Sequence, residues 1–184
     1  MSYICIMKNK AIFLDRDGVI NHEGHIPITV KDLKIISDSI EALKNVPKEY
    51  KKIIITNQSW ISRGLLTEEE VHEVHQAIKD ECKKHGVCID AVYFCPHHDV
   101  HACECRKPKP GLIFQAQKDH NIDLSESYMV GDMMRDVEAG KMAGCKKSIL
   151  IERDHSHKKA STAKPDHKVK DLSEAVKILF SDKK

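Results

Sequence analysis

The sequence predicts an α/β fold: a three-layer sandwich with a central parallel sheet between two layers of helices. Two observations predict it. Short β-branched runs alternate with amphipathic stretches, and the runs end in polar, chemically capable residues. Alternating strand and helix is the pattern of a parallel sheet whose crossovers cover both faces. The strands are expected at Ala11–Leu14, Lys52–Ile55, Ala91–Phe94, Tyr128–Val130 and Ser148–Ile151. Between them, Thr67 to His85 is the clearest helix, because Val71, Val74, Ile78 and Cys82 recur on one face. Thr67 and Glu70 have capping-box spacing, as do Asp38 with Glu41 and Asp171 with Glu174. Pro110 suits the first turn of a helix running to His120, and a helix over Asp136–Ala143 would end at Gly144. The polar stretch His155–His167 reads as a surface loop. Such a sheet is Rossmann-like, and its ligands sit beyond the carboxyl ends of the strands.

The chain has 184 residues, enough for a single domain over 1–184. A net charge of +2 gives no reason to expect a nucleic-acid or membrane partner. No apolar stretch approaches the roughly 20 residues of a membrane helix. Met1–Lys10 lacks the apolar core of a secretory signal, so a cytoplasmic location is expected. The seven cysteines are odd in number, and three fall in one short window, Cys95 to Cys105. That clustering favours metal ligation in a reducing compartment over a disulfide framework. Cys82 belongs to the apolar face of its helix.

The residues after each strand carry the chemistry. Asp15-Arg16-Asp17 follow the first strand, Thr56-Asn57-Gln58 the second, Cys95-Pro96-His97 the third and Gly131-Asp132 the fourth. Asp15, Asp17, Asp132 and Asp136 offer the hard oxygen ligands that magnesium prefers. An ionised Asp15 can attack phosphorus, and Asp17 can exchange a proton with the leaving oxygen and then with water. Thr56 and Asn57 can donate to phosphate oxygens, and Arg106 and Lys107 can offset the charge of a phosphoryl group in transfer. Taken alone, each piece also reads as a turn or a solvated basic pair.

Cys95, His97, Cys103 and Cys105 form Cys-x-His-x5-Cys-x-Cys. Three thiolates and an imidazole suit a closed tetrahedral zinc site, which favours structure over catalysis. His98, Asp99 and His101 lie in the same loop as substitute ligands, with His97 preferred on spacing. Ligation can order a segment with so little apolar content.

Phe13-Leu14-Asp15-Arg16-Asp17-Gly18-Val19-Ile20-Asn21 resembles the first motif of the haloacid dehalogenase-like superfamily of phosphatases. Thr56, Lys107 in Cys-Arg-Lys-Pro-Lys-Pro-Gly, and Val130-Gly131-Asp132 with Asp136 resemble its later motifs, in order, across residues 11 to 151. The resemblance implies Asp15 as nucleophile and magnesium ligand. It implies Asp17 as general acid/base, binding magnesium through its carbonyl, and Thr56 and Lys107 as holders of the phosphoryl group. Asp132 completes the magnesium site, with Asp136 in support. The spacing leaves no room for a large cap domain.

Within that superfamily the zinc loop resembles two branches, the D-glycero-D-manno-heptose 1,7-bisphosphate 7-phosphatases and the histidinol phosphatases. The run Thr56 to Gly64, Thr-Asn-Gln-Ser-Trp-Ile-Ser-Arg-Gly, is similar to the heptose branch, as is Asn21 to His25. That match implies substrate contacts at Glu23, Gly24, His25, Ile26, Thr56, Asn57, Gln58, Ser59, Arg106 and Lys107, with a small phosphorylated metabolite as partner and a monomeric protein. Trp60 and Met133 depart from the branch, which usually has glycine and often lysine there. The expectation is hydrolysis of the heptose 7-phosphate, with histidinol phosphate as the alternative. A polynucleotide 3′-phosphatase would want more aromatic platforms, and an inert zinc module would be expected to have lost Asp15, Asp17 or Lys107.

Overall fold

The computed structural model describes residues 8–24, 28–153 and 161–181. Its strands are β1 (Lys10–Leu14), β2 (Tyr50–Asn57), β3 (Ala91–Cys95), β4 (Tyr128–Gly131), β5 (Lys147–Ile151) and β6 (His167–Val169). Its helices are α1 (Ser37–Lys44), α2 (Glu68–Lys84), α3 (Gly111–His120), α4 (Met134–Ala143) and α5 (Leu172–Phe180). The strands form one parallel sheet in the order β3-β2-β1-β4-β5-β6. The order reverses at β1, which pairs with β2 on one side and β4 on the other, and a crevice opens there.

The strand period of two sorts the core into two layers. Ile12, Leu14, Ile54, Val130 and Ile149 pack on one face with the apolar sides of α1, α2 and α5. Ala11, Phe13, Ile53, Ile55 and Met129 pack on the other with α3 and α4. Burial on both faces explains the near-continuous apolar reading of β1 and β2. Gly140 of α4 lies against Met129 and Ser148, where a Cβ would collide. Among the described residues no helix is long and apolar enough to cross a membrane.

The helix signals hold in part. Thr67 and Glu70 make both capping-box bonds, at 3.1 and 2.8 Å. Asp171 accepts from the Glu174 N–H, whereas the Glu174 carboxylate accepts from the Lys170 N–H. The box expected at Asp38 is absent: α1 starts two residues earlier than that cap would place it, with Ile36 in the cap position and no side-chain cap bond. Pro110 caps α3 rather than opening it, and α4 starts two residues before Asp136 and ends at left-handed Gly144. His167, expected in a loop, opens β6, a strand of three residues with little periodic signal. Between β1 and β2, α1 is the only helix among the described residues, which leaves no cap domain there.

Candidate active site

β1 delivers Asp15 to the crevice, and a tight loop turns the chain back behind it. The Gly18 N–H donates to the Asn21 carbonyl at 2.7 Å, and the Ile20 and Asn21 N–H groups donate to the Arg16 carbonyl at 2.8 and 3.1 Å. Gly18 has φ 78°, which an L side chain rarely adopts, and a Cβ there would overlap the Asp132 carboxylate. Glycine therefore lets the residue after β4 stand against the residue after β1.

Asp15 and Lys107 are both buried. The Arg16 N–H donates to Asp15 Oδ1 at 2.7 Å, and Lys107 Nζ lies 2.9 Å from the same oxygen. Nζ also lies 2.7 Å from Asp136 Oδ1 and donates to the Ile55 carbonyl at 2.7 Å. Burial disfavours the Lys107 charge, but Asp136 and Asp15 outweigh it and raise the ammonium above its ordinary value. Burial, then the neighbouring Asp136 charge, pushes Asp15 up to about 6, against Lys107 and Arg135. Burial, Asp15 and Asp136 push Asp132 up to about 8.

Carboxylate oxygens of Asp15, Asp132 and Asp136 all lie within 4.8 Å of one another. Three buried acids so close repel unless protons or a cation intervene. Their hard oxygen chemistry fits a divalent ion such as magnesium.

Asp17 is held differently. Its carboxylate accepts from Arg16 Nε at 3.1 Å, from an Arg16 terminal nitrogen at 2.9 and 3.0 Å, and from Asn21 and Gln58 amides at 2.9 and 3.0 Å. Burial raises its pKa, but the Arg16 charge and these bonds outweigh burial and hold it below the ordinary range. Arg16 itself is buried, with His75 Nε2 3.5 Å from its other terminal nitrogen.

Thr56 and Asn57 are the last residues of β2 rather than the turn after it. Thr56 Oγ1 accepts from Gln58 at 2.8 Å. The Asn57 amide exchanges two 3.1 Å bonds with the main chain of Lys107, which pins that lysine to the sheet. A cavity of about 350 Å³ opens over Asp15, Asp17 and Thr56. Glu23, Gly24, Asn57, Ser59 and Arg106 line it, so these expected substrate residues meet in one place. Gln58 reaches Asp17 from beneath, and His25 and Ile26 lie outside the described residues. Trp60, a departure from the branch, lines the cavity too, and Arg63, Asp99 and Arg135 line it without having been expected there. Arg63 stacks over the Trp60 ring at 4.9 Å and lies 2.9 Å from His98 of the cysteine loop. Arg135 gave no sequence signal, since it falls just before the helix expected over Asp136–Ala143.

The cysteine loop is tied to the same rim. Cys95 Sγ lies 3.6 Å from His97 Nδ1, 3.7 Å from Cys103 Sγ and 3.2 Å from Cys105 Sγ. His97 Nδ1 and Cys105 Sγ are 3.3 Å apart. A tetrahedron with bonds of about 2.3 Å to sulfur and about 2.0 Å to nitrogen has edges of roughly 3.5–3.8 Å. The four donors chosen by spacing lie at or a few tenths of an ångström inside these edges, with Nδ1 of His97 as the nitrogen, and could hold one tetrahedral metal. Arg106 follows directly and donates to the His97 carbonyl at 3.0 Å.

Comparison with known proteins agrees with this geometry. A family model described as "HAD-hyrolase-like" matches residues 104–175. The D-glycero-beta-D-manno-heptose-1,7-bisphosphate 7-phosphatase of Pasteurella multocida is 40% identical over 149 residues, 77% of this chain and 81% of that protein. The enzyme of the same name from Yersinia pestis is 34% identical over 181 residues, 92% of this chain and 96% of the relative. The crystal structure of D,D-heptose 1,7-bisphosphate phosphatase from B. bronchiseptica, complexed with magnesium and phosphate, superposes with a TM-score of 0.85. It is 26% identical and covers 94% of this chain and 99% of its own. With its first-motif loop, buried lysine and paired acids on the rim of this sheet, the chain belongs to the heptose-bisphosphate 7-phosphatase family of haloacid dehalogenase-like phosphatases.

Proposed function

We propose that the protein hydrolyses the 7-phosphate of D-glycero-β-D-manno-heptose 1,7-bisphosphate through an aspartyl-phosphate on Asp15. The observation that carries the reading is Asp15 itself: a buried carboxylate held by Lys107 and the Arg16 N–H on one oxygen, at the floor of a cavity lined with arginines. Both contacts fall on Oδ1, which leaves Oδ2 to attack phosphorus. The sugar oxygen departs as the P–O bond breaks and takes a proton through Asp17, a carboxylate at rest that first draws that proton from solvent as the substrate binds. Asp17, now a carboxylate, then takes a proton from water, which attacks the aspartyl-phosphate and releases phosphate. The Arg16, Asn21 and Gln58 bonds favour the ionised form of Asp17, the form needed for that second step. Lys107, and the Thr56 hydroxyl at the same rim, hold the transferring oxygens.

Asp15, Asp132 and the Asp17 carbonyl would hold a magnesium ion, with Asp136 in support, and the ion would offset phosphate charge when bound. Cys95, His97, Cys103 and Cys105 would hold a structural zinc. Glu23 to Ile26, Asn57 to Ser59 and Arg106 would border the sugar. The thiolate ligands need a reducing compartment, which suits a cytoplasmic enzyme, and the cavity is complete within one chain, which suits a monomer.

The test is phosphate release with magnesium from the β and α heptose bisphosphates, histidinol phosphate and a 3′-phosphorylated oligonucleotide. Preference for the β heptose is expected, and preference for histidinol phosphate would overturn the substrate. Asp15→Asn should lower turnover at least about a thousandfold, as expected for a missing nucleophile. Retained activity in that variant would overturn the mechanism.

A further inference from the structure

We propose that Arg135, with Arg106, grips the anionic group of the substrate that is not transferred to Asp15. This rests on the heptose-bisphosphate reading, in which that group is the retained 1-phosphate. Arg135 stands in the first turn of α4, three residues beyond Asp132, and its side chain lines the cavity. Its Nε is sealed from solvent and has no hydrogen-bond partner. A buried guanidinium donor left unpaired is costly, and a group brought by the ligand would satisfy it.

The charges around Arg135 point the same way. The nearby acids are Asp136, Asp15, Asp132 and Glu23. Three of these are the acids that fit a divalent cation, so with that ion in place they are no longer free countercharges. The neighbouring cations are Arg106 and Lys107, and Arg106 and Arg135 repel each other. Two guanidinium groups kept close in one cavity are stabilised by an anion between them. The other arginines of the cavity are engaged. Arg16 is committed to Asp17 through three bonds, and Arg63 to His98 and the Trp60 ring. Lys107 already serves Asp15 and Asp136. Arg106 spends one terminal nitrogen on the His97 carbonyl, so the rest of its guanidinium and Arg135 are the cations available to a second anion.

The experiment compares Arg135→Gln and Arg135→Lys with the wild type on two substrates, heptose 1,7-bisphosphate and heptose 7-phosphate. Arg135→Gln should raise KM for the bisphosphate by roughly tenfold to a hundredfold, the range for a charge-assisted pair. The loss in kcat/KM on the heptose 7-phosphate should be at least about tenfold smaller than on the bisphosphate, and Arg135→Lys should recover part of that difference. Equal losses on both substrates would place Arg135 at the scissile group and overturn the proposal, as would no change on the bisphosphate in a variant that melts like the wild type. Should the wild type release nothing from the bisphosphate, the substrate reading fails by itself. Calorimetry with inorganic phosphate then decides on Arg135: loss by Arg135→Gln of a second phosphate site, with the first unchanged, keeps the anion grip, and weakening of the first site alone, or no change, overturns it.

Discussion

Asp17 is fastened by three different side chains, and each donor stabilises its charged form. Removing one donor raises the pKa of a carboxylate. Gln58→Ala should therefore raise that of Asp17, and the step that needs protonated Asp17 should persist to higher pH. The expected result is a larger protonated fraction of Asp17 and so a higher kcat/KM at and above neutral pH; an unchanged value there would remove Gln58 from this role. His75 answers to pH in another way. Burial, then Arg16 and His72, lowers its pKa to about 3, against an ordinary value near 6.5. The unfolded chain takes up the proton first, so stability falls as pH drops from about 6.5 towards 3. His75→Gln should remove that part of the acid loss. Urea unfolding at pH 7 and pH 5 would show it, and equal losses in both proteins would count against it. Asp15, Asp17, Thr56 and Lys107 are legible in the sequence because their meaning lies in short local runs. Arg135 and His75 are not, because theirs lies in contacts across 59 residues of chain for His75 and Arg16, or in a cavity wall.

At the scale of elements, the signals with a local cause are the ones the sequence carries. Thr67 opens α2 with both capping bonds, so Thr67→Ala should cost about 1 kcal/mol, read as a lower urea midpoint at unchanged slope. α1 shows the opposite case. Its start is set by packing of Ile40 and Leu43 against the core, and Asp38 simply falls in its first turn. β6 escaped notice because two of its three residues are exposed and its support comes from pairing with β5. The convergence of the four donors in the cysteine loop was legible because their spacing is itself local. Cys103→Ser should lower zinc content and melting temperature; full occupancy with unchanged melting would remove Cys103 from the ligand set.

For the whole molecule, the strand order brings the residues after β1 and β4 together at the reversal point. That convergence crowds Asp15 and Asp132, which hold protons up to about 6 and about 8 without a cation. Both values are raised by folding, so their contribution is full below the ordinary value near 3.8 and is lost as pH rises through 6 and then 8. A cation replaces those protons and binds more readily as they leave. The rise in melting temperature on adding magnesium should therefore grow between pH 6 and pH 8. A rise that is flat or shrinks with pH would show that these acids do not receive the ion.

Asp15, the proposed nucleophile, and Lys107 differ in how they are anchored. Asp15 extends from the central strand, paired on both sides and buried on both faces, so it is exposed only when the entire sheet opens. Lys107 follows a loop whose four clustered side chains could hold a metal, and it reaches the sheet through one asparagine and one carbonyl. A chelated protein should thus forfeit its cation while its nucleophile remains folded in place. Inactivation would then run ahead of global melting and reverse when metal returns, making the loop a fuse that opens before the frame fails.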